Sequence, residues 1–271
     1  MRQNSQMHTI FHLLLSYGGF LVTWRALGAV FTVAAVPFAG WVTYLAGFLT
    51  AVMVFFALYR KLGSGSVPEK TAEPCSTPMA FVHVGYGFFW LIVAMALVLL
   101  VFPVSGDPVQ EALVPRLIAA VLVHPLLEEI LFRRICQDHL LTLSEDRTEP
   151  GEVVDEDTPV PQKTPERTRA GMLFAVLTQA LLFALVHTGG GGMLYGFGGG
   201  VVLGVLMFRT GRLWVPVVCH MLINLRSVGY PYLPDAAANG LDVLWLAAGL
   251  ACGCVFWVQR YRTEREKRTT V

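Results

Sequence analysis

Long stretches without an ionised side chain limit what this chain can fold into more than any other feature. No Asp, Glu, Lys or Arg occurs from Gln3 to Trp24, Ala26 to Tyr59, Pro74 to Gly106, Ala170 to Phe208, or Val243 to Gln259. A hydrocarbon layer about 30 Å thick takes roughly 20 apolar residues of helix, so each gap is long enough, or nearly so, for a span. Of the 271 residues, 55% are hydrophobic and 14% charged, against about a quarter charged in an ordinary soluble domain. A water-soluble globule is thereby excluded.

The gaps predict an all-α, polytopic membrane helix bundle of about eight transmembrane helices, with seven as the rival count. The run from about 9 to 24 is read as a retained span, since no small-x-small cleavage site follows it. Residues 26 to 59 contain Pro37 and Gly40 and count as one span. Ala80 to Val104 is the clearest, and Leu113 to Ile135 is interrupted by Glu128, Glu129 and Arg133. As one helix, Ala170 to Phe208 would reach about 60 Å. Gly189 to Gly192 must break it into two spans. Two more run from Leu213 to about Val228 and from about Leu241 to Trp257.

Three regions follow: N-terminal spans over 1–104, a helical core over 105–259, and a basic tail over 260–271. Within the core, about 137–167 is acidic and carries Pro150, Pro159, Pro161 and Pro165, the composition of a mobile solvated loop. Basic loops stay on the cytoplasmic side. With eight spans and the amino terminus inside, the outer loops keep only Arg25, Arg116 and Arg226, so both termini are expected in the cytoplasm, with a bacterial plasma membrane as host. A net charge of +1 without a basic face points to no nucleic-acid partner. The five cysteines form no C-x-x-C pair and suggest neither a disulfide framework nor a zinc module.

Ionisable groups inside a span cost several kcal/mol unless paired or facing a wet cavity, and so mark function. Glu128 and Glu129 are adjacent, and Glu129 has Arg133 one turn later, the favourable order for a helical ion pair. Glu128 points about 100° away, with His124 one turn before it. A paired Glu129 would stay ionised and structural, whereas a desolvated Glu128 would suit proton transfer. Phe183 and His187, and then His220 and Asn224, are each four apart, on one helical face. Counting from Arg169, His187 falls near the outer end of its span, with Glu128 and His220 nearer the inside. The glycines of 189–200 fit close helix packing better than a phosphate loop, because no strand precedes them and no G-K-[ST] follows.

In that order, Glu128-Glu129-x-x-x-Arg133, Phe183-x-x-x-His187 and His220-x-x-x-Asn224 resemble the three motifs of the CPBP family of intramembrane endopeptidases, the CAAX prenyl protease 2 and bacteriocin-processing group. The similarity covers roughly residues 113 to 228, including Phe208-Arg-Thr-Gly-Arg-Leu-Trp-Val-Pro216. The resemblance implies a peptide-bond hydrolase acting on a membrane-associated or prenylated protein or peptide. Glu128 would be the base that activates water, His187 would help hold that water, and His220 and Asn224 would face the oxyanion. Glu129 and Arg133 would support them. No metal is expected; the alternative is zinc at Glu128, His187 and His220, although the chain has no H-E-x-x-H or H-x-x-E-H spacing. Two other functions compete: a non-proteolytic membrane scaffold or immunity-type protein, and a proton-coupled transporter. The loop of about 137–167 reads as an insertion between the first two motifs.

Overall fold

The computed structural model describes residues 75–102, 117–138, 140–141, 169–187 and 189–269, with Val114 and isolated positions between 15 and 57. Among these every regular element is helical. Helix α1 (Thr77–Val101) opens with a proline in its first turn, where a missing N–H costs nothing. A continuous helical stretch follows in three parts: a π-helical Ile118–Val123, α2 (His124–Glu129) and a π-helical Ile130–Gln137. Helices α3 (Arg169–Leu185), α4 (Gly189–Thr210), α5 (Trp214–Gly229) and α6 (Asp235–Thr269) complete the order.

Among the described residues three helices are long and apolar enough to cross a membrane: α1, α4 and the Asp235–Arg262 part of α6. The chain is an integral membrane protein. The expected spans at 9–24 and 26–59 fall outside the described residues apart from isolated helical positions. Gly189, with φ of 75°, is the break anticipated between α3 and α4, in a region that side chains disfavour.

Near the expected start of the acidic loop, Gln137, Leu140 and Leu141 are buried, and Arg134 pairs with Asp138 at 2.7 Å. The two leucines extend the helix because they complete the apolar cluster of Leu131, Phe132 and Ile135 against Ala175 and Phe183 of α3. Residues 142–168, the rest of that loop, lie outside the described residues. Helix α6 continues into the basic tail as far as Thr269.

A second apolar cluster joins α1, α4 and α5 through Phe88, Leu91, Leu203, Leu206, Cys219 and Ile223. Helix α4 thus has one side on α3 and another on α1. On the α3 side, side chains would not fit: a Cβ on Gly200 would come within 2.9 Å of the Ala180 Cα, and one on Gly204 within 2.4 Å of the Gln179 Nε2. The glycines serve backbone approach between helices, as their spacing suggested.

Candidate active site

The local fold around Glu128 begins with a proline. In the π-helical turn before α2, the His124 N–H donates to the Ala119 carbonyl, five residues back. In that register the Ala120 carbonyl would await the N–H of residue 125, which is proline and has none. Asn224 of α5 supplies the donor instead: its Nδ2 donates to the Ala120 oxygen at 2.7 Å. One side chain of the third motif thereby fastens α5 to the helix that carries the first.

One turn earlier on α5, His220 is buried against both glutamates. Its Nδ1 donates to the Glu129 Oε1 at 2.9 Å, and its Nε2 stands 3.5 Å from the Glu128 Oε2. A ring nitrogen facing a carboxylate oxygen carries the proton, so Glu129 fixes the tautomer and leaves Nε2 turned toward Glu128. The other oxygen of Glu129 lies 2.9 Å from the Arg133 Nε, and both residues are fully buried. The Nε–H does not point along that line, and neither Nη finds a hydrogen-bond partner among the described residues. This is an ion contact at short range, completed by the Phe183 ring, whose centroid lies 4.5 Å from the guanidinium carbon.

Phe183 connects the second motif to the third. Its ring touches His187 (centroids 4.8 Å apart) and His220 (5.7 Å). His187 lies just beyond the last turn of α3, where its Nδ1 donates to the Phe183 carbonyl at 2.9 Å. That bond leaves Nε2 of the neutral ring as an acceptor. Gly196 makes the room, because a Cβ there would stand 2.8 Å from the His187 Nδ1.

The structure therefore gathers Glu128, Glu129, Arg133 and His220 in direct contact, joins His187 to them through Phe183, and ties Asn224 to the backbone beside them. His124 is within electrostatic reach of Glu128 and His220. Among the described residues no three His, Cys, Asp or Glu side chains are grouped as metal ligands.

A family model for type II CAAX prenyl endopeptidase Rce1-like proteins matches residues 110–226. The segment from 110 to 226 is an Rce1-like domain. It holds all the polar residues just described, and the family is one of peptide-bond hydrolases acting in the membrane. Comparisons with curated proteins and with solved structures gave no match.

Sequence reasoning missed two buried amides beside this site. Gln137 Nε2 donates to the Gly204 carbonyl at 2.9 Å, and Gln179 Nε2 to the Gly200 carbonyl at 2.8 Å. Both fall one helical repeat from other buried positions, but neutral glutamines in apolar helices raise no alarm as charges do.

Proposed function

We propose that the domain hydrolyses a peptide bond of a membrane-associated or prenylated protein or peptide, with Glu128 as the base that deprotonates water. The observation that carries this reading is His220 held between two carboxylates: Glu129 on Nδ1 at 2.9 Å and Glu128 facing Nε2 at 3.5 Å. Glu129, balanced by Arg133, orients the imidazole in the way a buried aspartate orients the histidine of a serine-protease triad. Water bound between Glu128 and the acceptor nitrogen of His187 gives its proton to Glu128 and attacks the scissile carbonyl.

The developing oxyanion needs donors that are already oriented. His220 turns Nε2 toward the site while Glu129 holds its Nδ1. Asn224 keeps one amide N–H on Ala120 and offers the other. Collapse of the tetrahedral intermediate returns the proton from Glu128 to the leaving amine. No step in this scheme requires a metal ion. Cleavage near the membrane surface, with substrate entering from the bilayer, fits a buried polar cluster in a chain with long apolar helices.

Cleavage of a reporter peptide in proteoliposomes tests the base directly. Glu128→Gln keeps the shape and removes the proton acceptor, and turnover is expected to fall by about 10²–10⁴-fold, the usual contribution of a general base. Wild-type turnover in Glu128→Gln would sink the proposal. His220→Ala is expected to lose about 10²–10³-fold, the worth of one oxyanion donor, with folding monitored in parallel.

A further inference from the structure

The three helices long and apolar enough to cross a membrane share a cavity of about 330 Å³, within the size range of ligand sites. No residue of the glutamate and histidine cluster lines it. Its walls are aromatic and aliphatic: Tyr86 and Trp90 from α1, Val201 and Val205 from α4, and Phe256 and Trp257 from α6. Two arginines, Arg209 and Arg260, and His83 are the ionisable residues of the lining.

Helix pairing puts both arginines at one end. Gly85 lies opposite Cys252 and Gly249 opposite Phe89, so α1 and α6 are antiparallel; Gly87 opposite Leu206 and Gly198 opposite Ala94 make α1 and α4 antiparallel too. The last turn of α4, with Arg209, and the Arg260 turn of α6 therefore meet near the start of α1. The Arg209 guanidinium carbon stands 5.9 Å from the Phe256 ring centroid, at the mouth of the aromatic wall. From Arg209 inward to Val201, α4 rises about 12 Å. Along that length the groove changes from cationic to apolar.

We propose that this groove binds one anionic glycerophospholipid, its phosphate at Arg209 and Arg260 and an acyl chain running toward Trp90. Charge complementarity selects the occupant. The lining supplies Arg209 and Arg260 at the rim, arginine suits phosphate oxygens by its forked donors, and basic pockets between membrane helices take anionic headgroups. All three walls belong to the candidate spans, so the groove opens where such lipids are the surrounding solvent. Gly249 and Gly253 bring α6 close to Phe89 and Tyr86 of α1, fixing the two aromatic walls.

Native mass spectrometry of the full chain in detergent, with phosphatidylglycerol and phosphatidylcholine of identical chains as competing probes, tests the proposal. One phosphatidylglycerol should be retained in preference by about tenfold, equivalent to ~1.4 kcal/mol. Arg209→Gln with Arg260→Gln should abolish the preference, and Val205→Trp, which fills the groove but leaves both arginines, should reduce retention of either lipid. Arg262→Gln with Arg265→Gln should leave the preference intact, which separates the groove from the basic end of α6. Equal retention of the two lipids by wild type, a preference that survives loss of Arg209 and Arg260, or displacement of phosphatidylglycerol by geranylgeraniol but not by more phosphatidylglycerol would overturn it. The readout is binding, so it stands whether or not Glu128 proves to be the base.

Discussion

The seam between α2 and α5 and the seam between α3 and α4 both bury polar groups, but they do so with opposite chemistry. The first holds ionisable side chains, Glu128, Glu129, Arg133 and His220, in mutual contact. The second holds glycines and two neutral amides that donate to backbone carbonyls. A buried amide needs only its hydrogen bonds, whereas a buried charge needs a counter-charge as well. On the proposed mechanism, charges are kept where chemistry would use them, and amides suffice where two helices only have to stay close.

If that division is right, removing one charge from the first seam should produce the largest loss. Arg133→Met leaves Glu129 buried without its cation, and breaking a buried pair in this way costs about 3–5 kcal/mol. Thermal unfolding in detergent should show the destabilisation. Combining it with Glu129→Gln should restore much of the stability, because no lone charge remains, yet cleavage should stay low because His220 has lost its carboxylate partner. Recovery of activity along with stability in the double variant would mean that Glu129 and Arg133 are packing residues and nothing more.

The second seam should respond to volume. Gly204→Val puts a branched side chain where even a Cβ stands 2.4 Å from the Gln179 Nε2 and 3.1 Å from the Gln137 Oε1. Overpacking of this kind costs about 1–3 kcal/mol. Cleavage per folded molecule should be retained, since α4 contributes none of the ionisable groups. A variant that folds normally but loses turnover would erase the distinction between the two seams.

The same contrast explains what the sequence made legible. Ionisable residues in apolar runs stand out one by one, so Glu128, Glu129, Arg133, His187 and His220 were singled out before any contact was known, and the helices that carry them followed from the charge gaps. Gln137 and Gln179 left no such trace. The end of the helix that carries the glutamates is hard to place from sequence because Gln137 and Asp138 resemble the acidic segment beyond them, while Leu140 and Leu141 reveal their role only against Ala175 and Phe183. Depth counted along α3 set His187 apart from the glutamates, and the Phe183 ring, invisible to counting, joins them. Of the eight expected spans, three are long and apolar enough to cross a membrane among the described residues, and the runs at 9–24 and 26–59 lie outside those residues.

The smallest expected effect lies inside the first seam, where Asn224 does the kind of work that glutamines do in the second. Its amide donates to the one carbonyl that Pro125 leaves without a helical donor. Asn224→Leu should therefore cost about 1–3 kcal/mol for a buried acceptor left unsatisfied. Pro125→Ala returns an N–H to the helix, so the same substitution should cost less in that background, with a coupling energy of about 1 kcal/mol from the double-mutant cycle. Turnover separates the structural role from the chemical one. If Asn224 only repairs the backbone, Asn224→Leu with Pro125→Ala should recover cleavage together with stability. If its second N–H also meets the oxyanion, stability returns and cleavage remains reduced by about 10²-fold, and the same residue serves both seams' logic at once.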